Sequence, residues 1–347
     1  MKFIHIADVH LGMQPDSGYK WSEIRTREIY ETFKRVLDVC NEEKVDLLII
    51  AGDLFHKQPS KNVLKEVDYL LSKLEKTKVV IMAGNHDYAP MGSTYHDFIW
   101  NKNVQMFSNN KMQSIVFENL NTEVYGFNYN DRNIDVARYD DVQPYDNNRI
   151  NILVGHGGET NYIPINFKKM KESKFDYIAL GHIHKYKIFC DKMAYCGSLE
   201  PLDRTEIGEH GYILGEVDKD KCIIQHVPFS IREYVDINET IDSNMTNAEI
   251  IDILNKRISE NGGNNIYSIK LEGYRARDLK IDCSVLKEAF YITEIIDETY
   301  PDYDFRVLYE ENIDNIIGMY ISKINSMDID EELKKRVLYL GIEALLK

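Results

Sequence analysis

Two rhythms of apolar residues alternate along the first ninety positions. The run opening at Phe3 ends in Asp8-Val-His10, Asp46–Ala51 ends in Gly52-Asp53-Leu-Phe-His56, and Val79–Ala83 ends in Gly84-Asn85-His86-Asp87. Continuous apolar runs of this length mark strands covered on both faces. Between them, Ile29/Tyr30, Phe33, Val36/Leu37 and Cys40 recur at helical spacing within Glu23–Glu43. Ser60 can cap a second helix whose apolar face is Val63, Leu64, Val67, Leu70, Leu71 and Leu74. The pattern predicts strand–helix–strand–helix–strand, an α/β sheet with polar clusters gathered at the strand ends. Glycines before Asp53 and Asn85 suit tight turns that aim the next side chain back over the sheet edge.

The rhythm shortens further on. Val104–Phe107, Ser114–Phe117 and Glu123–Phe127 read as short strands, and Asn128–Asn148 as a polar loop with room for a short helix. Ile150–His156 and Asp176–His184 are strands that end in histidine, and Met193–Gly197, Gly211–Val217 and Ile223–Val227 are further strands. The count predicts a two-sheet core flanked by helices. The character changes near Phe229. A strand (Glu233–Ile237), an amphipathic helix (Thr246–Asn261), a strand (Ile266–Leu271) and a second helix (Cys283–Phe290) predict a small α+β domain. Apolar residues at helical spacing from about 310 onward predict two helices that meet at a turn near Asn325–Asp330. The expected division is 1–229, 230–305 and 306–347.

Composition narrows the function classes. The 347 residues are 44% hydrophobic and 29% charged, an ordinary globular balance. No run approaches the roughly 18 apolar residues of a membrane span, and the N-terminus shows no signal-peptide pattern. These two features point to a cytoplasmic protein, and the five cysteines, odd in number and with no Cys-x-x-Cys pair, point to reduced thiols. A net charge of −15 argues against a module that binds DNA through a broad basic face. It is compatible with a nuclease whose metals or partner supply the positive charge.

Five strand ends together offer Asp8, His10, Asp53, Asn85, His156, His182 and His184. This mixture of carboxylate, imidazole and amide oxygen, without thiolate, suits manganese, iron(II) or zinc more than calcium or magnesium. Seven ligands exceed one four-coordinate site. They suit two ions about 3.5–4 Å apart, as in two-metal phosphoester hydrolysis, with Asp53 as the natural bridge.

In this order, the strand-end motifs Asp-x-His, Gly-Asp, Gly-Asn-His-Asp, Gly-His and Gly-His-x-His resemble the calcineurin-like metallophosphoesterase superfamily over about residues 1–200. His5–Gly12, Gly52–His56 and Tyr195–Ser198 narrow the resemblance to the SbcD-type branch of DNA double-strand-break repair exonucleases. The resemblance implies a two-sheet metallophosphoesterase sandwich, a small α+β capping domain and a C-terminal helical element. It implies two divalent metal ions, Mn2+ first, with Fe2+ or Zn2+ as alternatives. One ion would take Asp8, His10 and His184, the other Asn85, His156 and His182, with Asp53 shared. His86 would stabilise charge or protonate the leaving oxygen, His56 would be a second catalytic histidine, and Asp87 would accept the other ring proton of His86. The implied function is a DNA exo- and endonuclease working with an SbcC-like ABC ATPase, for which residues 310–347 are either the docking element or helices that pack back on their own domain. The alternative is a phosphoesterase of the same fold acting on cyclic nucleotides, small phosphodiesters or phosphoproteins. Ser60–Glu75 is the candidate homodimer helix, and Arg275, Arg277 and Lys280 are the basic candidates in the capping domain. His156-Gly-Gly-Glu159 departs from the better-known pattern at the lip of the site.

Overall fold

β1 (Lys2–Ile6) leads through a loop into α1 (Ser22–Glu42), and β2 (Leu47–Ala51) is followed by α2 (Lys61–Leu71) and β3 (Lys78–Met82). β4 (Val104–Met106), β5 (Gln113–Phe117), β6 (Thr122–Gly126), β7 (Ile150–His156), α3 (Phe167–Glu172) and β8 (Tyr177–Gly181) continue the chain. β9 (Lys187–Cys190), β10 (Met193–Tyr195), β11 (Gly211–Val217) and β12 (Cys222–Pro228) complete this part. The computed structural model describes residues 1–346, and the chain divides into two compact units, Met1–Tyr234 and Val235–Lys347.

The first unit holds two six-stranded sheets, ordered β12-β11-β1-β2-β3-β4 and β5-β6-β7-β8-β10-β9. The central strands β1, β2 and β3 run parallel, as do β6, β7, β8 and β10. The period of two in the strands decides the layers. Phe3, Leu47, Ile49, Val80 and Met82 face inward and share one core with Val124, Ile152, Val154, Ile178 and Leu180 of the second sheet. The alternate residues Ile4, Ile6, Leu48, Ile50, Val79 and Ile81 pack on Ile29, Phe33 and Val36 of α1 and Leu64 and Val67 of α2. Both faces of β2 are therefore buried, which is why it reads as an unbroken apolar run.

The second unit begins within β13 (Tyr234–Ile241) and contains α4 (Asn247–Glu260), β14 (Ile266–Arg275), α5 (Ser284–Ala289), β15 (Tyr291–Asp297) and β16 (Tyr300–Pro301). Ile237, Ile250, Leu254, Tyr267 and Ile269 form its core. α6 (Phe305–Glu311), α7 (Ile316–Asn325) and α8 (Glu331–Leu345) gather a separate core of Leu308, Ile321, Ile324, Leu338 and Ile342. Among the described residues, no helix is long and apolar enough to cross a membrane.

Several local expectations change. The 128–148 loop holds no helix. α2 stops at Leu71, although Leu74 remains buried. The elements α3, β9, β15 and α6 were not expected. Arg275 and Arg277 are engaged within the second unit: Arg275 pairs with Glu343 at 3.4 Å, and Arg277 Nε donates to the carbonyl of Asp302 at 3.0 Å.

Candidate metal centre

The parallel strands set the site by ending together. Past β1 the ladder continues irregularly, with Asp8 N–H donating to Gly52 O at 3.1 Å and His10 N–H to Asp53 O at 3.0 Å. The chain turns sharply here: Asp8, His10 and Asp53 have φ of 51°, 50° and 50°, and His182 has φ of 96°. Left-handed backbone at non-glycine residues is costly and concentrates at functional sites. Glycine is required where the motifs place it. A Cβ on Gly52 (φ +94°) would lie 2.1 Å from His156 Nδ1, and one on Gly84 would lie 2.2 Å from Asp53 Oδ1.

All seven expected donors meet at this edge. Asp53 Oδ1 accepts from the N–H of His86 at 2.8 Å, and its Oδ2 faces both His156 Nε2 (3.4 Å) and His10 Nε2 (3.7 Å). Asn85 Oδ1 lies 2.9 Å from His156 Nε2 and 3.1 Å from His182 Nδ1. Asp8 Oδ2 accepts from the N–H of His182 at 2.9 Å, while Oδ1 faces His184 Nε2 at 3.8 Å. Three groupings, Asp8 with His10 and His184, Asp8 with Asp53 and His156, and His10 with His56 and His86, each bring one ligand atom per residue within 4.8 Å of the others and could hold a metal ion.

The buried groups shift one another's charge. Burial raises Asp8, although the neighbouring imidazoles pull against it. At Asp53 burial also acts upward, but His156 and His10 outweigh it and hold the carboxyl low. Burial would lower His156, yet Asp53 and Asp8 hold it up at about 9. Burial and the charge of His156 bring His182 down to about 3. Asp8 Oδ1 and both ring nitrogens of His10 are buried with no hydrogen-bond partner. Such atoms are expensive to bury unless something binds them, and carboxylate and imidazole are the donors a divalent transition ion takes.

His86 and His56 stand beside this cluster. The ring of His86 lies 4.7 Å from that of His10 and 5.4 Å from that of His56, centroid to centroid. His86 Nδ1 meets the carbonyl of His56 at 3.2 Å. The expected pairing of Asp87 with the His86 ring is not what the structure shows. Asp87 is fully buried and accepts from the N–H groups of Gly84 (2.7 Å) and Phe55 (3.1 Å), so it fixes the turn rather than the imidazole. Four further residues reach these side chains, of which the sequence had marked only Glu159. The hydroxyls of Tyr129 and Tyr139 donate to the carbonyl of His156. Glu206 lies 2.6 Å from His184 Nδ1, and Glu159 lies 3.4 Å from His182 Nε2.

Comparisons with known proteins point the same way. The calcineurin-like phosphoesterase family model matches residues 1–186. The chain is 29% identical to the DNA double-strand break repair protein Mre11 of Methanocaldococcus jannaschii over 259 residues, covering 69% of each. It is 27% identical over 361 residues to Mre11 of Methanococcus maripaludis, covering 95% of this chain and 92% of that one. It is also 28% identical over 240 residues to the uncharacterized metallophosphoesterase YhaO of Bacillus subtilis, covering 62% of this chain and 57% of that protein. With its motif-bearing strands matched end to end and their donors gathered at one edge, the chain belongs to the calcineurin-like phosphoesterase family.

Proposed function

We propose that the protein is a manganese-dependent DNA nuclease, with exo- and endonuclease activity, that hydrolyses phosphodiester bonds in DNA repair. The observation that carries this reading is the convergence of seven oxygen and imidazole donors, three of their buried atoms without partners, next to the ring of His86. One ion would be held by Asp8, His10 and His184 and the other by Asn85, His156 and His182, with Asp53 Oδ2 between His10 and His156 as the shared ligand. When bound, the ions supply Lewis acidity toward the phosphoryl group and an acidified water.

The remaining work falls to this chain's own residues. His86 is pinned at both ends, by its N–H on Asp53 and by Nδ1 on the His56 carbonyl. A carbonyl accepts only, so Nδ1 keeps its proton and Nε2 is the atom that exchanges one with the leaving oxygen. His56, stacked on His86 with the rings at 27°, limits the tilt of that ring.

The names of the relatives support DNA as the substrate. With a net charge of −15, the cations and a partner are needed to hold a polyanion. An SbcC-like ABC ATPase would dock on the C-terminal helices, where Ile316, Met319, Leu333 and Leu340 are exposed. A homodimer would form through α2, which exposes Tyr69. All five cysteines are free, in keeping with a cytoplasmic location.

The test is a comparison of substrates. Purified full-length protein with Mn2+ is given linear duplex DNA or bis-p-nitrophenyl phosphate, beside an EDTA control and His86→Ala. We expect metal-dependent cleavage of both, reduced about 10²- to 10⁴-fold in His86→Ala while Mn2+ binding persists. Cleavage of the chromogenic ester with DNA left intact, even with a coiled-coil ATPase added, would overturn the nuclease reading in favour of a small-phosphodiester hydrolase.

A further inference from the structure

One carboxylate reaches the site from outside every strand-end motif. Glu206 lies on the 198–210 loop, and its Oε1 is 2.6 Å from His184 Nδ1. A carboxylate can only accept, so a proton sits on Nδ1, which leaves Nε2 as the nitrogen open to a cation. Nε2 is the nitrogen that faces the unpartnered Asp8 Oδ1, 3.8 Å away. The contact thus selects both which nitrogen is free to bind and where it points.

The position of Glu206 is itself built. Its other oxygen accepts from the N–H of Leu202 at 2.9 Å, and its own N–H donates to Asp203 O at 2.9 Å. His210 Nε2 meets the Glu206 carbonyl at 3.2 Å, while His210 Nδ1 meets Ser198 Oγ at 2.9 Å. The start of the loop is tied to α1 by buried charges. Glu200 is 1% exposed and accepts from Thr32 Oγ1, from Arg25 Nη1 at 3.2 Å and from the N–H of Ile231 at 2.7 Å. Arg25, fully buried, also donates to Pro201 O at 2.7 Å. Buried ion networks add little net stability, but they fix geometry. By contrast, Glu159 is 3.4 Å from His182, and its side chain is 59% exposed.

We propose that Glu206 is a positioning residue that holds His184 in the tautomer and orientation presenting Nε2 to a cation shared with Asp8 and His10. This inference rests on the reading of those three residues as a metal site. Orienting partners of metal-bound histidines typically carry ten- to hundredfold in affinity.

The experiment is a titration of EDTA-stripped, dialysed full-length protein with MnCl2, with free Mn2+ counted by electron paramagnetic resonance. Wild type, Glu206→Ala, Glu206→Gln and Glu209→Gln, a change at an exposed position of the same loop, are compared. Melting of each metal-free protein separates fold from binding. The expected result is two sites in wild type, with one weakened about ten- to hundredfold in Glu206→Ala and the other unchanged. Glu206→Gln has one accepting oxygen for two donors, His184 Nδ1–H and the Leu202 N–H, so it should fall between wild type and Glu206→Ala, and Glu209→Gln should match wild type. The proposal fails if Glu206→Ala keeps both affinities. It also fails if Glu206→Ala weakens both sites alike together with a lower metal-free melting temperature. Absence of any Mn2+ site in wild type would instead remove the metal-centre reading beneath it.

Discussion

Single atoms decide how this site is held. Gly84 has no room for a Cβ against Asp53, where both Oδ1 (2.2 Å) and the main-chain N (2.7 Å) would be struck. Gly84→Ala should therefore displace the Asp53 carboxylate and weaken Mn2+ binding at least tenfold, read by the same titration, while tryptophan fluorescence shows a folded protein. His5 offers a pH test away from the ligands. It is fully buried with Nδ1 2.9 Å from the Tyr177 hydroxyl, and burial brings it down from 6.5 to about 3. The unfolded chain binds the extra proton between those values, so stability is complete above about pH 6.5 and falls toward pH 3. The loss is about 1.4 kcal/mol per pH unit for this one group. His5→Gln keeps a partner for Tyr177 but cannot titrate. Its urea-unfolding stability, followed between pH 4 and 6 by the fluorescence of Trp21 and Trp100, should slope less by about one proton. An equal slope would show that His5 is not buried neutral. At this scale the convergence of the seven residues was legible, because each closes an apolar run with a chemically distinctive residue. Asp87 was misread: neighbours in sequence on a turn point apart, and its carboxylate went to the backbone of Gly84 and Phe55. Glu206 was invisible because a loop residue 22 positions from its partner leaves no periodic trace.

Elements were legible in proportion to how their burial imprints a period. β2 and α1 were plain, one buried on both faces and the other on a single stripe. β9 was missed because it is a four-residue strand at the end of its sheet with a largely open face, and α3 because six residues cannot complete a stripe. Helix ends follow local chemistry. Thr246 and Glu249 form a reciprocal capping box on α4, with Thr246 N–H on Glu249 Oε2 at 2.8 Å and Glu249 N–H on Thr246 Oγ1 at 3.3 Å. Thr246→Ala should cost about 1 kcal/mol. Hydrogen exchange should show it as roughly fivefold faster exchange in the first turns of α4, with α1 unchanged. Unchanged α4 protection would mean the box contributes nothing.

For the whole molecule, the expected two-sheet sandwich is what the first unit contains, and the site lies entirely within it. Both tryptophans also lie in that unit, so their fluorescence reports on the site-bearing half. The acidic balance of the chain takes on meaning only with the site in view: a chain of net charge −15 gathers histidines and carboxylates at one edge in a cluster that could hold a metal ion, as the phosphoesterase family implies. The most direct test of that claim is an anomalous difference map, recorded at the manganese edge, from crystals equilibrated with MnCl2. The account predicts two peaks about 3.5–4 Å apart, one bound by Asp8, His10 and His184, the other by Asn85, His156 and His182, with Asp53 touching both. A single peak, or peaks held by other residues, would contradict it.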